Sequence, residues 1–319
     1  MNDSSMETPL VSVVVPTYNR PEKLRRAVET VRAQTYRPIE LVVVDDHSAE
    51  PAADALDEIA LDDISLTVIR HEQNRGGNAA RNTGIRESTG GFVAFLDDDD
   101  RWEPAKIQRQ VETFEASPDS VGFVYTGSRY VYDDGERVIC NDLSGDVTRA
   151  ILEGASVAEF SAVMVRASVI EAAGLPDERF PSWQDQEWFL RLSLHCAFAA
   201  VEEPLTIRHW DHPGRIGQNF QKRRDVSFPL FVEKHRDLAA EYDLEQRFVA
   251  SLLETLVIDA AQNGYYGDAR RLAVRAIRTD PTLPTPWLYL LSCLGGRVTY
   301  RPAQRLMALV QSSGGRDGD

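Results

Sequence analysis

Residues 10–20, LVSVVVPTYNR, decide how the rest of the chain is read. Val11, Val13, Val14 and Val15 leave almost no polar gap, which fits a strand covered on both faces rather than one. Pro16 is expected to end it. The next residues, PEKLRRAVETVRAQTY (21–36), put Leu24, Ala27, Val28 and Val31 on one helical face, with Pro21 suited to a first turn. A second near-continuous apolar run, IELVVVDDHS (39–48), follows. Strand, helix and strand at this spacing form a βαβ unit. The alternation continues with a helical stretch around Ala52 to Ile59, a strand in SLTVIRHEQN (65–74) and a loop entering a helix in GNAARNTGIRESTG (77–90). A fourth strand in GFVAFLDDDD (91–100) and a helix in PAKIQRQVETFEAS (104–117) complete it. The expected fold is α/β: a doubly wound, mostly parallel, Rossmann-like sheet with a helical C-terminal extension.

Such sheets bind ligands beyond the carboxyl ends of their strands. Three strand ends here are polar: Pro16-Thr17-Tyr18, Asp45-Asp46, and the run Asp97 to Asp100. Right-handed crossovers place those ends on one edge. Four adjacent carboxylates are either an exposed acidic turn or the seat of a cation. A shared edge with two other polar ends favours the cation. Asp97 and Asp99, two apart on an extended chain, project to one side. Oxygen donors of this kind suit Mg²⁺ or Mn²⁺, with phosphate oxygens completing the shell.

The bulk composition narrows the function classes. The chain has 319 residues, 43% of them hydrophobic and 27% charged, enough for a proper core. Its net charge of −15 argues against general nucleic-acid binding, which needs a basic face, and against simple electrostatic adhesion to an anionic membrane. Lysine is scarce, at Lys23, Lys106, Lys222 and Lys234. Acidic and lysine-poor is a composition common in proteins of a high-salt cytoplasm, though any acidic protein shares it. Cys140, Cys196 and Cys293 show no disulfide or zinc spacing and are expected to be reduced core thiols. The start MNDSSMETPL has no charged stretch leading into an apolar one, and no run reaches the roughly 18 apolar residues of a membrane span. A cytoplasmic location is expected, with peripheral contact at the cytosolic membrane face as an alternative.

The remaining chain divides by composition. Residues 1–9 and 312–319 are expected to be loose tails around a domain at 10–225 and a helical region at 226–311. Within the domain, residues 121–225 form a mixed half, set against the βαβ half at about 10–120. VGFVYTGSRYVY (121–132) and SAVMVRAS (161–168) look like strands, and RASVIEAAGLP (166–176) like a short helix. QEWFLRLSLH (186–195) is amphipathic, and RHWDHPGRIGQNFQKRRD (208–225) is rich in Arg and His.

Five segments then occur in order: VSVVVPTYNR, IELVVVDDHS, GGNAARNTGI, FLDDDDRWEPAKI and SWQDQEWFLRL. Together they resemble the family-2 inverting glycosyltransferases of the GT-A fold, over roughly residues 10–225. The resemblance implies a metal-dependent, hexosyltransferase-like enzyme. It would move a sugar from a nucleoside-diphosphate-sugar to an acceptor hydroxyl, in glycan, polysaccharide or lipid-linked saccharide assembly. The acceptor would be a saccharide, a lipid-linked saccharide or a glycoprotein. It implies Asp99 as metal ligand, with Asp97 beside it, and Asp98 close to the donor sugar or ribose. Asp46 would contact the nucleotide base, with Pro16, Thr17 and Tyr18 lining the same pocket. Arg81 would lie near the diphosphate, and Asn78, with Asn82, would hold its loop. Asp185 matches the catalytic base, where the family's usual preceding Glu is Gln184. Inverting transfer needs one carboxylate to take the acceptor proton. Glu187 is a second, weaker candidate, and Asp185 would also suit a helix N-cap. His209, His212 and Arg215 look like the family's loop over the donor phosphates, with His212 a further metal ligand. Lys222, Arg223 and Arg224 would continue that role or face an anionic lipid carrier.

Two other classes compete. A sugar nucleotidyltransferase wants a glycine-rich basic loop after the first strand, and PTYNRPEKL has no glycine. A non-catalytic sugar-nucleotide-binding or scaffold protein would not need Asp46, Asp97, Asp99 and Asp185 together.

Overall fold

The computed structural model describes residues 8–61, 63–133, 135–209 and 220–304. They group into two compact units. The described residues from 220 on, with Leu152–Ala155, form the second; the others form the first.

The first unit is built on the expected βαβ repeat. Strands β1 (Val11–Thr17), β2 (Ile39–Asp45), β3 (Ile64–Arg70) and β4 (Phe92–Phe95) are parallel, in the order β3-β2-β1-β4. Every β1 residue is buried, as its unbroken apolar run requires. Its side chains divide by parity. Val11, Val13 and Val15 join one core cluster with Leu41, Val43 and Ala94, while Val14 joins another with Val93 and Phe95. That two-residue period is what a sheet packed on both faces demands.

Helices cover those faces. α1 (Pro21–Arg32) buries Leu24, Ala27, Val28 and Val31, the stripe expected from spacing. After α2 (Ala52–Leu56), α3 (Gly77–Glu87) comes so close to β1 that a Cβ on Gly84 would lie 2.3 Å from Val14 Cγ1. α4 (Lys106–Ala116) packs with Ile107, Val111 and Phe114 inward.

Pro16 does not end β1; the strand continues to Thr17. Val14 O accepts from Leu96 N on the β4 side, and Thr17 O accepts from Asp46 N on the β2 side. The Pro16 nitrogen therefore faces the β4 side, where β1–β4 pairing has already stopped at Val14↔Phe95. A missing N–H costs nothing there.

The sheet then turns mixed. β5 (Asp100–Trp102), β6 (Val121–Tyr132), β7 (Gly135–Ile139), β8 (Val163–Arg166) and β9 (Ala197–His209) extend it to nine strands, in the order β4-β8-β6-β9-β5 with β7 beside β6. β5 and the 13-residue β9 were not expected. The pairing Asp100↔Arg208 puts the last aspartate of the acidic run inside a ladder, not in a loose turn. α5 (Thr148–Leu152, of which 148–151 belong here), α6 (Ala167–Ala173) and α7 (Gln184–Ser193) complete the unit.

The second unit is helical, with α8 (Phe228–Glu241), α9 (Glu245–Gln262), α10 (Tyr266–Thr279) and α11 (Pro284–Ser292). One cysteine departs from expectation: Cys140 is exposed next to edge strand β7, whereas Cys293 is buried. No described helix is long and apolar enough to cross a membrane.

Candidate active site

The four aspartates after β4 alternate. Asp98 and Asp100 are buried, while Asp97 and Asp99 are partly exposed. Arginines reach all four. Asp97 Oδ1 lies 2.5 Å from Arg81 Nη2. Asp98 accepts from Thr17 Oγ1 and from Arg20 Nη1, both at 2.8 Å. The same Arg20 Nη1 reaches Asp99 Oδ2 at 3.0 Å. Asp100 accepts from Ser161 Oγ at 2.6 Å and pairs with Arg208 Nε at 3.3 Å.

Burial raises the Asp98 carboxyl above its ordinary range, and Arg20 and Thr17 work against that rise. Burial pushes Asp100 up as well, opposed by Arg208 and reinforced by Asp97 and Asp99. The arginines show the reciprocal effect. Burial alone would lower Arg20, but Asp98 and Asp99 hold it above its usual value. Arg208 is likewise raised, by Asp100 and Glu159, despite its burial. Opposite charges thus offset part, though not all, of what burial costs the carboxylates, and hold the guanidinium groups charged.

An open cavity of about 270 Å³ adjoins the run. Asp98, Asp99 and Asp100 line it, with Lys23 and Arg26 of α1, Arg101 and His209. No group of three or more His, Cys, Asp or Glu side chains among the described residues is arranged to hold an ion unaided. Asp99 nevertheless presents a carboxylate to a cavity that also carries cationic side chains. That donor set fits a hard cation whose shell phosphate oxygens complete. His212 and Arg215 lie outside the described residues.

Asp45 and Asp46 have separate tasks. Asp45 is fully buried and accepts from Ser48 N at 2.7 Å and Ala52 N at 3.0 Å, so it secures the turn into α2. Asp46 Oδ1 accepts from Arg75 N at 2.8 Å and meets His71 Nδ1 at 2.8 Å, while Oδ2 accepts from Gly76 N at 2.7 Å. Asp46 thereby clamps the loop ahead of α3. Gly76, at φ +92°, has the backbone that this loop needs.

On α3, Asn78 Nδ2 donates to Asp177 O at 2.8 Å, and Asn82 Nδ2 to Pro176 O at 3.0 Å. Both tie α3 to the 176–177 segment ahead of α7, rather than holding their own glycine loop. Arg81 is buried, its guanidinium 4.0 Å above the Phe160 ring. Besides Asp97 it reaches Gln184 Oε1, from Nη1 at 3.2 Å. One arginine therefore ties the acidic run to the head of α7, where Asp185 is the second residue.

Asp185 is not the N-cap. Trp183 occupies that position, at φ +59°, and Asp185 Oδ1 accepts from Gln186 N at 2.9 Å. Burial raises the Asp185 carboxyl; the Gln186 N–H lowers it, Glu159 raises it, and Arg81 and Arg208 lower it. Glu187 is fully buried and bound to Arg191 through both oxygens, at 2.8 and 3.1 Å, which removes it as a rival base. Trp188 is a core residue, packed near Phe95 and Phe160 and donating to Gly174 O at 2.8 Å. Tyr18 is 45% exposed, beside buried Thr17. Arg223 pairs with Asp259, and Arg224 with Asp225 and Asp268, all within the helical unit.

Residues 12–169 match the sequence model of "Glycosyl transferase family 2". The matched segment is a family-2 glycosyltransferase domain. Among relatives, the chain is 34% identical over 233 residues to a putative glycosyltransferase, EpsH, of Bacillus subtilis. That alignment covers 68% of this chain and 65% of EpsH, so the chain spans just under two thirds of this relative. Solved structures share the fold. Staphylococcus aureus TarS, residues 1–349, superposes with a TM-score of 0.60 at 16% identity, over 88% of this chain and 90% of that one. The mannosyltransferase PcManGT of Pyrobaculum calidifontis, in complex with GDP-Man and Mn²⁺, gives 0.59 at 20% identity, over 90% and 86%. The first unit is therefore the GT-A fold that the family-2 resemblance implied.

Arg20, Ser161, Glu159 and Arg208 were missed in the sequence. Arg20 was within sight, since it ends the quoted PTYNR and faces an acidic strand end. The other three come from the mixed half of the sheet, and no local pattern marks them.

Proposed function

We propose that this chain transfers a sugar from a nucleoside-diphosphate-sugar to an acceptor hydroxyl, with inversion at the anomeric carbon. The observation that carries the proposal is the Arg81 bridge, which sets Asp185 beside the acidic run. Donor and base must lie together for an in-line attack. Asp185 takes the acceptor proton as the acceptor oxygen bonds to the anomeric carbon and the bond to the diphosphate breaks. Its raised carboxyl makes it a stronger base than an ordinary aspartate. Asp99, with Asp97 beside it, would hold Mg²⁺ or Mn²⁺, which neutralises charge on the leaving diphosphate when bound. The Mn²⁺ and GDP-Man of PcManGT and the UDP-GlcNAc bound to TarS support this choice of cofactor and donor class.

The remaining donor contacts belong to the same proposal. Pro16, Thr17 and Tyr18 line the nucleotide side, Asp98 faces the donor ribose or sugar, and Asn78 and Arg81 frame the diphosphate. Asp46 acts on the nucleotide side through the Arg75–Gly76 loop that it clamps. Lys23, Arg26 and Arg101 supply positive charge around the cavity. The acceptor is a saccharide hydroxyl, free or carried on a lipid or glycoprotein.

The test is a screen of nucleotide-sugars with Mn²⁺ or Mg²⁺ by thermal shift, because a true donor stabilises the fold by mass action. Asp99→Ala is then compared with the parent chain. Donor binding should weaken with Mn²⁺ present far more than in EDTA. Equal losses in both conditions would remove the cation from the proposal.

A further inference from the structure

The helical unit carries an apolar surface that the described fold does not cover. On α11, Trp287 and Leu288 are each 47% exposed and Leu291 64%; beyond it, Leu294 and Val298 reach 62% and 80%. The intervening side chains supply the inward face: Ser292, Cys293 and Tyr300 are buried, and Tyr289 lies 6.2 Å from Tyr300. α11 ends at Ser292, Leu294 lies in the turn that follows, with Gly296 at φ +61°, and Val298 lies in the helical stretch that resumes at 297, so the five side chains cluster in sequence across a helix–turn–helix junction. Five of the ten large apolar side chains exposed among the described residues fall within these 12 positions. The other five are spread over the rest of the chain, so this cluster is a surface feature rather than the usual scatter.

The charge around it is equally local. From Pro281 to Gln304 the sequence holds two arginines, Arg297 and Arg301, and no carboxylate, in a chain with 50 Asp and Glu residues. Both arginines are exposed. A tryptophan and leucines beside arginines, free of acidic residues, are the composition of a surface segment that enters a bilayer interface. Tryptophan prefers headgroup depth, and arginine meets the phosphates of an anionic leaflet.

We propose that this face docks on an anionic phospholipid membrane, its apolar side chains inserted at headgroup depth and Arg297 and Arg301 on lipid phosphates. A second copy of the chain is a poorer occupant. It would bring like-charged arginines together across the contact. The five side chains also offer on the order of 500 Å², short of the roughly 800 Å² per partner that stable complexes bury. The net charge of −15 opposes approach to an anionic surface, so adhesion rests on this one face. The proposal does not depend on the donor-site reading.

The experiment is co-sedimentation of the 319-residue chain with phosphatidylcholine vesicles and with vesicles that also contain phosphatidylglycerol. Binding should favour the anionic vesicles. Leu291→Glu and Val298→Glu, both at exposed positions, should each lower partitioning roughly tenfold with an unchanged far-UV spectrum. Arg297→Glu with Arg301→Glu should abolish the preference for phosphatidylglycerol. The proposal fails if the chain stays in the supernatant with both vesicle types, or if the glutamate variants bind as the parent does. It also fails if light scattering finds a dimer that Leu291→Glu dissolves while vesicles go unbound; the face would then join two copies.

Discussion

A carboxylate in this molecule is defined by what reaches it. Asp45, Asp46, Asp98 and Asp185 differ little in sequence context, yet one secures a turn, one clamps a loop, one pairs with Arg20 and one heads a helix. Asp185 is expected to show its task in a rate. Asp185→Asn should leave donor binding intact and lower transfer by roughly 100-fold or more, the usual scale for a general base. Its folded carboxyl is raised, so the unprotonated base is lost at a higher pH than for an ordinary aspartate. The acid limb of kcat/KM should accordingly lie above the ordinary value of about 4. A limb at that ordinary value would mean that burial does not govern this group. Lys106 is a different case. It is fully buried, its Nζ has no hydrogen-bond partner among the described residues, and it lies 3.8 Å over the Trp102 ring. Burial lowers its amine well below the usual value. The unfolded chain then binds the proton more readily than the folded one, so stability rises with pH up to the unfolded value of about 10.4. Lys106→Met should stabilise the chain by about 1–3 kcal/mol at neutral pH, with a gain that shrinks as pH approaches 10. Urea melts at several pH values would check it, and a pH-independent gain would show that Lys106 keeps its charge in the fold.

Among the elements, the parallel half was legible because its signal is local. Continuous apolar runs and a clear helical stripe gave β1, β2, β4 and α1. The acidic run was legible for the same reason: it follows a buried strand directly. β9 was not, because Ala197–His209 mixes Glu202, Glu203 and Pro204 with apolar residues and gains its place only by pairing with β6 and β5. Arg208 and Ser161 were hidden with that half of the sheet, since each reaches Asp100 across more than 60 residues. The contact of α3 on β1 was not visible either, though Gly84 marks it. Gly84→Ala would force a methyl against Val14 and should cost about 1–3 kcal/mol, despite the better helix propensity of alanine. Val14→Ala placed in the same chain should recover part of that loss. A double-mutant cycle by denaturant melts measures the coupling, and simple additivity would mean that the helix shifts freely.

At the scale of the molecule, 50 acidic residues face 35 basic ones. Short-range pairs are local and the excess is global, so the two respond differently to salt. With a Debye length of about 10 Å at 0.1 M, repulsion across the surface is screened before close buried pairs are. The thermal midpoint should therefore rise by a few degrees between about 0.02 M and 0.5 M sodium chloride, then flatten. Scanning fluorimetry across that range would show it. A falling curve would mean that exposed ion pairs outweigh the net repulsion. The composition suggested this sensitivity, whereas no bulk number could have located the local patch of α11 within so acidic a chain.

The guanidinium of Arg20, shared between Asp98 and Asp99, also sets the terms on which ligands enter. A divalent ion that arrives alone must compete with a positive charge already seated, so its gain is a difference between two attractions. A nucleoside diphosphate brings negative charge that both cations can share. Occupation of the site should accordingly follow an order, with the bare ion weakly held and the ion–nucleotide pair captured together. Titration calorimetry of Mn²⁺ with and without nucleotide would display that sequence, and Arg20→Ala should erase it by letting the ion bind first.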